Sequence, residues 1–190
     1  MAPVGITYND IQTLNINLGS GNDTFTIAST HAGATNLSTG AGNDTINVQS
    51  ISGATTANAG TDTTGDVVNV SSTAGTLDSI GALLTINGDA GVGPDRLYIS
   101  DAGNTTGRTA TQAGILTATT LTGFGMGGSI TYGTLEALQI DLGAGADTIN
   151  IRTIGTATTV NAGAGTDTIN VGSLASATGG TVNGISASLT

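Results

Sequence analysis

Apolar and polar positions alternate along this chain in short bursts, and the bursts recur. Phe25/Ile27, Ile46/Val48, Val68/Val70, Leu97/Ile99, Ile149/Ile151 and Ile169/Val171 are apolar pairs one residue apart, with Thr26, Asn47, Asn69, Tyr98, Asn150 and Asn170 between them. A period of two is that of a strand with one face buried. A second series runs through Ile16, Leu37, Ala57, Ile86, Ile140, Val160 and Val182, each followed by Asn, Ser or Asp. Each burst is too short to stand alone. Stacked in parallel and in register, equivalent bursts can hydrogen-bond above and below and share one core. The pattern predicts an all-β chain, a right-handed parallel β-solenoid of β-helix or β-roll type, with about 20 residues per coil. About eight coils at ~4.8 Å each make a rod ~40 Å long.

Ahead of the first series stand Asp23, Asp44, Asp66, Asp95, Asp147 and Asp167, each in or near a Gly-rich turn. A longer period overlies the short one. "ITYNDIQTLNINLGSGNDTFTI" at 6–27 aligns without gaps to "ITYGTLEALQIDLGAGADTINI" at 130–151, and the match extends to give a long repeat of 6–51 and 130–174. The expectation is one domain over 1–190, with 101–139 forming variant coils that use other turns. "GFGMGG" at 123–128 reads as a tight turn, because no strand-to-helix pattern surrounds it to make a phosphate loop.

Composition supports thin coils. Among 190 residues there are 31 Gly, no Trp and 3% aromatics, which suits a narrow channel of Val, Ile, Leu and Ala. The formal net charge is −10, from 12 Asp, one Glu (Glu136) and three Arg (Arg96, Arg108, Arg152). Such a surface cannot track phosphates, so nucleic acid and anionic membrane surfaces are excluded as partners. No apolar stretch reaches membrane-spanning length, and the absence of Cys removes disulfides and thiolate chemistry.

Four turns carry a more specific signal. "GSGNDTFT", "GAGNDTIN", "GAGADTIN" and "GAGTDTIN" share the frame Gly-x-Gly-x-Asp-x-apolar-x. This frame resembles the nonapeptide of RTX, or haemolysin-type, calcium-binding repeats, lacking only its first Gly, which is Leu18, Thr39, Leu142 or Ala162 here. The long coil is similar to that of large bacterial surface and secreted β-solenoids. The resemblance implies calcium, held by Gly19, Gly21, Asp23, Gly40, Gly42 and Asp44 in one pair of turns. Gly143, Gly145, Asp147, Gly163, Gly165 and Asp167 would hold it in the other. The loops leading to Asp66 and Asp95 differ in length and match less well. Stacked carboxylates ~4.8 Å apart repel by ~3.5 kcal/mol at an effective dielectric of 20, which calcium would relieve. The same aspartates can instead accept hydrogen bonds from turn N–H groups without metal. The sequence leaves both readings open.

No catalytic set is legible. The Arg residues are scattered, and His31 in "STHAGAT" reads as a solvated loop residue. Asp89, Asp95 and Arg96 share a loop, which suggests a surface ion pair. The broken ranks of outward turn residues argue against ice binding, and Asn-x-Ser/Thr triplets are too common by chance to mark glycosylation. The expected function is therefore non-enzymatic: a structural repeat segment of an extracellular or cell-surface bacterial fibre, adhesin or surface protein, self-associating head to tail. The alternative is a calcium-dependent adhesin module binding a glycan or protein through its loops. The segment "GGTVNGISASLT" at 179–190 has no charge or proline to blunt an edge, and its strand is expected around Val182, in one column with Val160 and Ala57.

Overall fold

The computed structural model describes residues 8–89 and 93–190. Two stacked sheets account for nearly all of the regular structure, and no α-helix occurs among the described residues. Strands β1 (Thr13–Asn17) and β2 (Thr24–Ile27) are the first among the described residues, one in each sheet. The pattern continues with β3 (Ala34–Ser38), β4 (Thr45–Val48), β5 (Thr55–Asn58), β6 (Val67–Val70), β7 (Leu83–Asn87) and β8 (Arg96–Ser100). Odd strands join the first sheet and even strands the second, all parallel and in register, as in Leu14↔Thr35 and Phe25↔Ile46. This arrangement is compatible with a parallel β-solenoid or β-helix.

Alternation sets the core. In β4, β6 and β8 the residues Ile46, Val48, Val68, Val70, Leu97 and Ile99 point inward and are at most 1% exposed. The residues between them point outward, and several make side-chain ladders: Asn69 Nδ2 donates to Asn47 Oδ1 at 3.0 Å and Asn87 Nδ2 to Asn58 Oδ1 at 2.7 Å.

The segment read as variant coils departs from simple stacking. After a 3-10 turn at Ala110–Gln112 come β9 (Gly114–Leu116), β10 (Thr120–Thr122) and β11 (Ser129–Gly133). Strand β10 runs antiparallel to both neighbours, so these three form a meander inside the first sheet. The "GFGMGG" turn lies between β10 and β11. Phe124 sits there with a positive φ of 51° and its side chain fully buried. Its ring occupies the space that a Cβ on Gly114 would take.

The meander changes the phase of everything after it. Strands β12 (Ala137–Asp141), β13 (Thr148–Ile151), β14 (Ala157–Asn161) and β15 (Thr168–Val171) are the sequence equivalents of β1 to β4. Yet β12 and β14 extend the six-stranded sheet, ordered β14-β12-β8-β6-β4-β2. Strands β13 and β15 join the nine-stranded sheet, ordered β1-β3-β5-β7-β11-β10-β9-β13-β15. The second repeat is thus offset by half a coil. This corrects the expected column: Ala57 of β5 and Val160 of β14 lie in different sheets. Val182 is also not a strand residue; it is 62% exposed. The last contacts are the bridges Ile154↔Ile185 and Thr158↔Leu189, where the apolar side chains meet the core.

Candidate metal-binding turns

Because strands alternate between sheets, the turns stack too, on two edges of the molecule. The first edge carries turns that lead from the nine-stranded to the six-stranded sheet. There each turn aspartate accepts the backbone N–H of the aspartate one turn earlier. Asp44 Oδ1 accepts from Asp23 at 2.8 Å, Asp66 Oδ1 from Asp44 at 2.6 Å, and Asp95 Oδ1 from Asp66 at 2.8 Å, with sequence separations of 21, 22 and 29 residues. Glu136 Oε2 ends the row by accepting from Asp95 N–H at 2.7 Å. The second edge carries a shorter row. Asp147 Oδ1 accepts from Arg108 N–H at 2.6 Å and Asp167 Oδ1 from Asp147 N–H at 3.0 Å.

Six of the eight glycines of the frame serve close approach, while a Cβ on Gly19 or Gly21 would meet nothing within 4 Å. Gly40 has φ +102°, and a Cβ there would collide with Gly19 O; Gly163 has φ +84°, and a Cβ there would collide with Gly143 O. Gly42 and Gly165 are likewise positive in φ and abut Gly21 O and Gly145 O. The carbonyls of Gly19, Gly40 and Gly143 accept N–H groups of Ala41, Thr61 and Ala164 on the next turn, at 3.2, 3.0 and 3.2 Å. These carbonyls take part in the stacking, each with one of its two lone pairs. Asp44, Asp66 and Asp147 do what the metal-free reading describes, but with one oxygen only, whereas Asp95 also accepts Asp89 N–H on Oδ2 at 2.7 Å. Buried Oδ2 atoms of Asp44, Asp62, Asp66 and Asp147 accept no hydrogen bond among the described residues.

The residues Asp23, Asp44, Asp147 and Asp167 therefore stack in pairs. A third carboxylate joins at one place among the described residues, where Asp62, Asp66 and Asp95 bring ligand oxygens within 4.8 Å of one another. All three are buried, at 8%, 1% and 1% exposure. Asp62 lies four residues before Asp66 and is held by Gly65 N–H donating to its Oδ1 at 2.9 Å. Burial pushes the Asp66 carboxyl up to about 7, helped by the neighbouring Asp62, Asp95 and Asp44 charges. Asp95 is pushed up to about 6, again by burial first, against hydrogen bonds from Asp66 and Asp89 N–H and with Asp62 beside it. Three oxygen donors with two orphaned oxygens in a confined turn suit a hard divalent cation. Nothing in the donor set selects a particular ion.

The second edge answers its own charge problem with a side chain. Arg108 is 4% exposed, and its guanidinium forks onto Asp78 (Nη1–Oδ1 2.9 Å, Nη2–Oδ2 2.8 Å) and onto Asp101 (Nε–Oδ2 2.7 Å, Nη2–Oδ1 3.0 Å). This holds the Asp78 carboxyl below the ordinary carboxylate range and pushes the Arg108 guanidinium up. The Asp147 carboxyl, buried beside Asp167, is raised.

Sequence reasoning missed Asp62, Arg108 and Glu136. A signal for Asp62 existed in the extra residues of "AGTDTTGD", which lengthen the turn just where a third acid enters. Glu136 was visible in the repeat alignment as the partner of Gln12. The expected ion pair of Arg96 does not form with Asp95, which is buried in the turn; Arg108 instead pairs with Asp78 and Asp101. His31, read as solvated, is half-buried with Tyr8 edge-on at 6.0 Å between ring centroids, and both its ring nitrogens are enclosed. No protein-family model matches the chain, and neither a curated protein nor a solved structure was found to match it.

Proposed function

We propose that this chain is a structural segment of an elongated, extracellular bacterial assembly, a right-handed β-solenoid of about 20 residues per coil that extends end to end. One observation carries the reading. Among the described residues, apolar core-facing side chains are left part-exposed at both ends of the stack. Ile169 and Val171 of β15 point into the core line yet are 45% and 42% exposed, whereas their partners Ile149 and Ile151 on β13 are fully buried. At the other end Leu14, Ile16 and Phe25 are only partly buried and line a cavity of about 260 Å³. A monomeric solenoid ordinarily covers such ends with a helix or charged caps. The acidic surface and lack of Cys suit a secreted spacer.

Calcium is the ion proposed for the Asp62, Asp66 and Asp95 turn, with weaker sites at the paired turns. Calcium there would tie the β5–β6 and β7–β8 turns together and stiffen the rod. This also supports the second reading, a calcium-responsive adhesive module, in which the ion orders loops presented to a partner.

Sedimentation velocity and negative-stain electron microscopy of the full chain test the main reading. Rods that lengthen in multiples of one unit as concentration rises are the expected result. A single monomeric species at high concentration, with a featureless compact outline, would refute it.

A further inference from the structure

If chains join end to end, as proposed above, the structure also names the strands that meet and their register, which stand only with that reading. Three features of β1 and β15 fit one another. The first is the pair of half-exposed apolar rows at the two ends of the nine-stranded sheet. The second is the direction of the Asn ladders. Asn36 Nδ2 donates to Asn15 Oδ1 at 2.8 Å, and Asn170 Nδ2 donates to Asn150 Oδ1 at 3.0 Å. In both, the later strand donates to the earlier. The β15 end is therefore left with the Asn170 Oδ1 acceptor, and the β1 end with the Asn15 Nδ2 donor, neither used among the described residues.

The third feature is the row of turn N–H groups. Within the chain, the second repeat begins by laying β12 on β8, with Leu138↔Leu97 and Ile140↔Ile99 in register. At that junction Glu136, one residue before β12, caps the N–H of Asp95, one residue before β8. Strand β1 is the sequence equivalent of β12, and Gln12 is the equivalent of Glu136. Strand β15, like β8, follows a turn aspartate, Asp167, whose N–H has no acceptor among the described residues. Gln12 is exposed, and its side chain makes no hydrogen bond among the described residues.

We infer that β1 of a second copy of this chain stacks in parallel on β15, repeating between molecules the junction that the chain already makes internally. The register aligns Thr13 with Thr168, Leu14 with Ile169, Asn15 with Asn170 and Ile16 with Val171. Asn15 Nδ2 then donates to Asn170 Oδ1, and Gln12 Oε1 accepts the Asp167 N–H. The contact is heterologous and does not close, so it propagates.

The natural chain has no Cys, which makes disulfide trapping clean. Full-length chains carrying Asn15→Cys and Asn170→Cys are mixed under mild oxidation, after circular dichroism confirms that each is folded. In-register neighbours on parallel strands lie ~4.8 Å apart, within disulfide reach. The mixture should yield a covalent dimer, and neither chain alone should. Asn17→Cys mixed with Asn170→Cys, two residues out of register, should yield none. Gln12→Ala should weaken self-association roughly 5- to 10-fold, as loss of one hydrogen bond does, while Gln12→Glu should retain it. A disulfide from Asn170→Cys alone would overturn the inference in favour of a symmetric tail-to-tail contact. End-to-end rods without the mixed disulfide would overturn the register and leave the structural reading standing. A strictly monomeric wild-type chain would overturn both.

Discussion

With a chelator present, the protein should become less stable as the pH rises from 5 to 8, and calcium should abolish the slope. The perturbation is the charging of Asp66 and Asp95, which meet Asp62 where the β5–β6 and β7–β8 turns stack. Their folded pKa values, about 7 and about 6, lie above the ordinary 3.8. A group shifted upward stabilises the fold below its unfolded pKa, and that contribution is lost as the pH climbs through the folded value. At about 1.4 kcal/mol per unit, the Asp66 shift alone sets a ceiling of about 4 kcal/mol. Only the part of that shift above pH 5 lies in this window, and relaxation of the charged site lowers it further, to about 2 kcal/mol. For a chain of this size, that is a fall of about 4–8 °C in Tm across the window. Thermal melts followed by circular dichroism, in chelator and in millimolar calcium, read both effects. Asp62→Asn removes one of three carboxylates that meet within 4.8 Å, so it should flatten the pH slope in chelator and reduce the calcium response. A Tm that ignores pH in chelator, or a full calcium response in Asp62→Asn, would refute the electrostatic account.

Two further outcomes are expected at the stacked edges. Arg108→Met leaves Asp101, 1% exposed, without its ion-pair partner and should cost about 3–5 kcal/mol in urea unfolding; a loss below ~1 kcal/mol would mean that Asp101 is satisfied by other means. Gly40→Ala, at φ +102° and against Gly19 O, should cost about 2 kcal/mol or more, whereas Gly19→Ala, with nothing within 4 Å of its Cβ, should cost well under that; equal losses at the two sites would show that turn stacking does not set the glycine requirement.

The strands were legible because alternation survives almost unbroken. Phe25/Ile27 through Ile169/Val171 all fall in strands, and the residues between them face out of β2, β4, β6 and β8 as their periodicity requires. The sheet each strand joins was not legible. A burst such as "TINV" carries the same pattern at 45–48 and at 168–171, but β4 and β15 lie in different sheets. Local alternation fixes which face is buried, not which wall of the core a strand supplies. That choice was made by the meander β9–β10–β11, whose antiparallel turn at Phe124 has no counterpart elsewhere in the repeat. The site was half legible. The Gly-x-Gly-x-Asp frame located the stacked turns, and six of its eight glycines make close backbone contacts there. The three-carboxylate turn arises where the frame is broken by insertion, since only a longer loop can bring Asp62 back against Asp66 and Asp95. Arg108 was half readable: Asp101 stands seven residues before it in the same loop, whereas Asp78, 30 residues away, is brought to it by coil stacking.

The half-coil offset between the two repeats has a mechanical consequence. A rod whose acidic turns all ran along one edge would carry repulsion, and any contraction on ion binding, on that side alone. It would curl toward or away from that edge whenever ionic conditions changed. Here the first row of turns runs along one edge and the second along the other, so their bending moments oppose each other. Equivalent strands of the two repeats lie in opposite sheets, so the end-to-end assembly proposed above would have the character of a two-fold screw. Under the proposed cation binding, axial stiffness would vary with bound ions without bending the axis to one side.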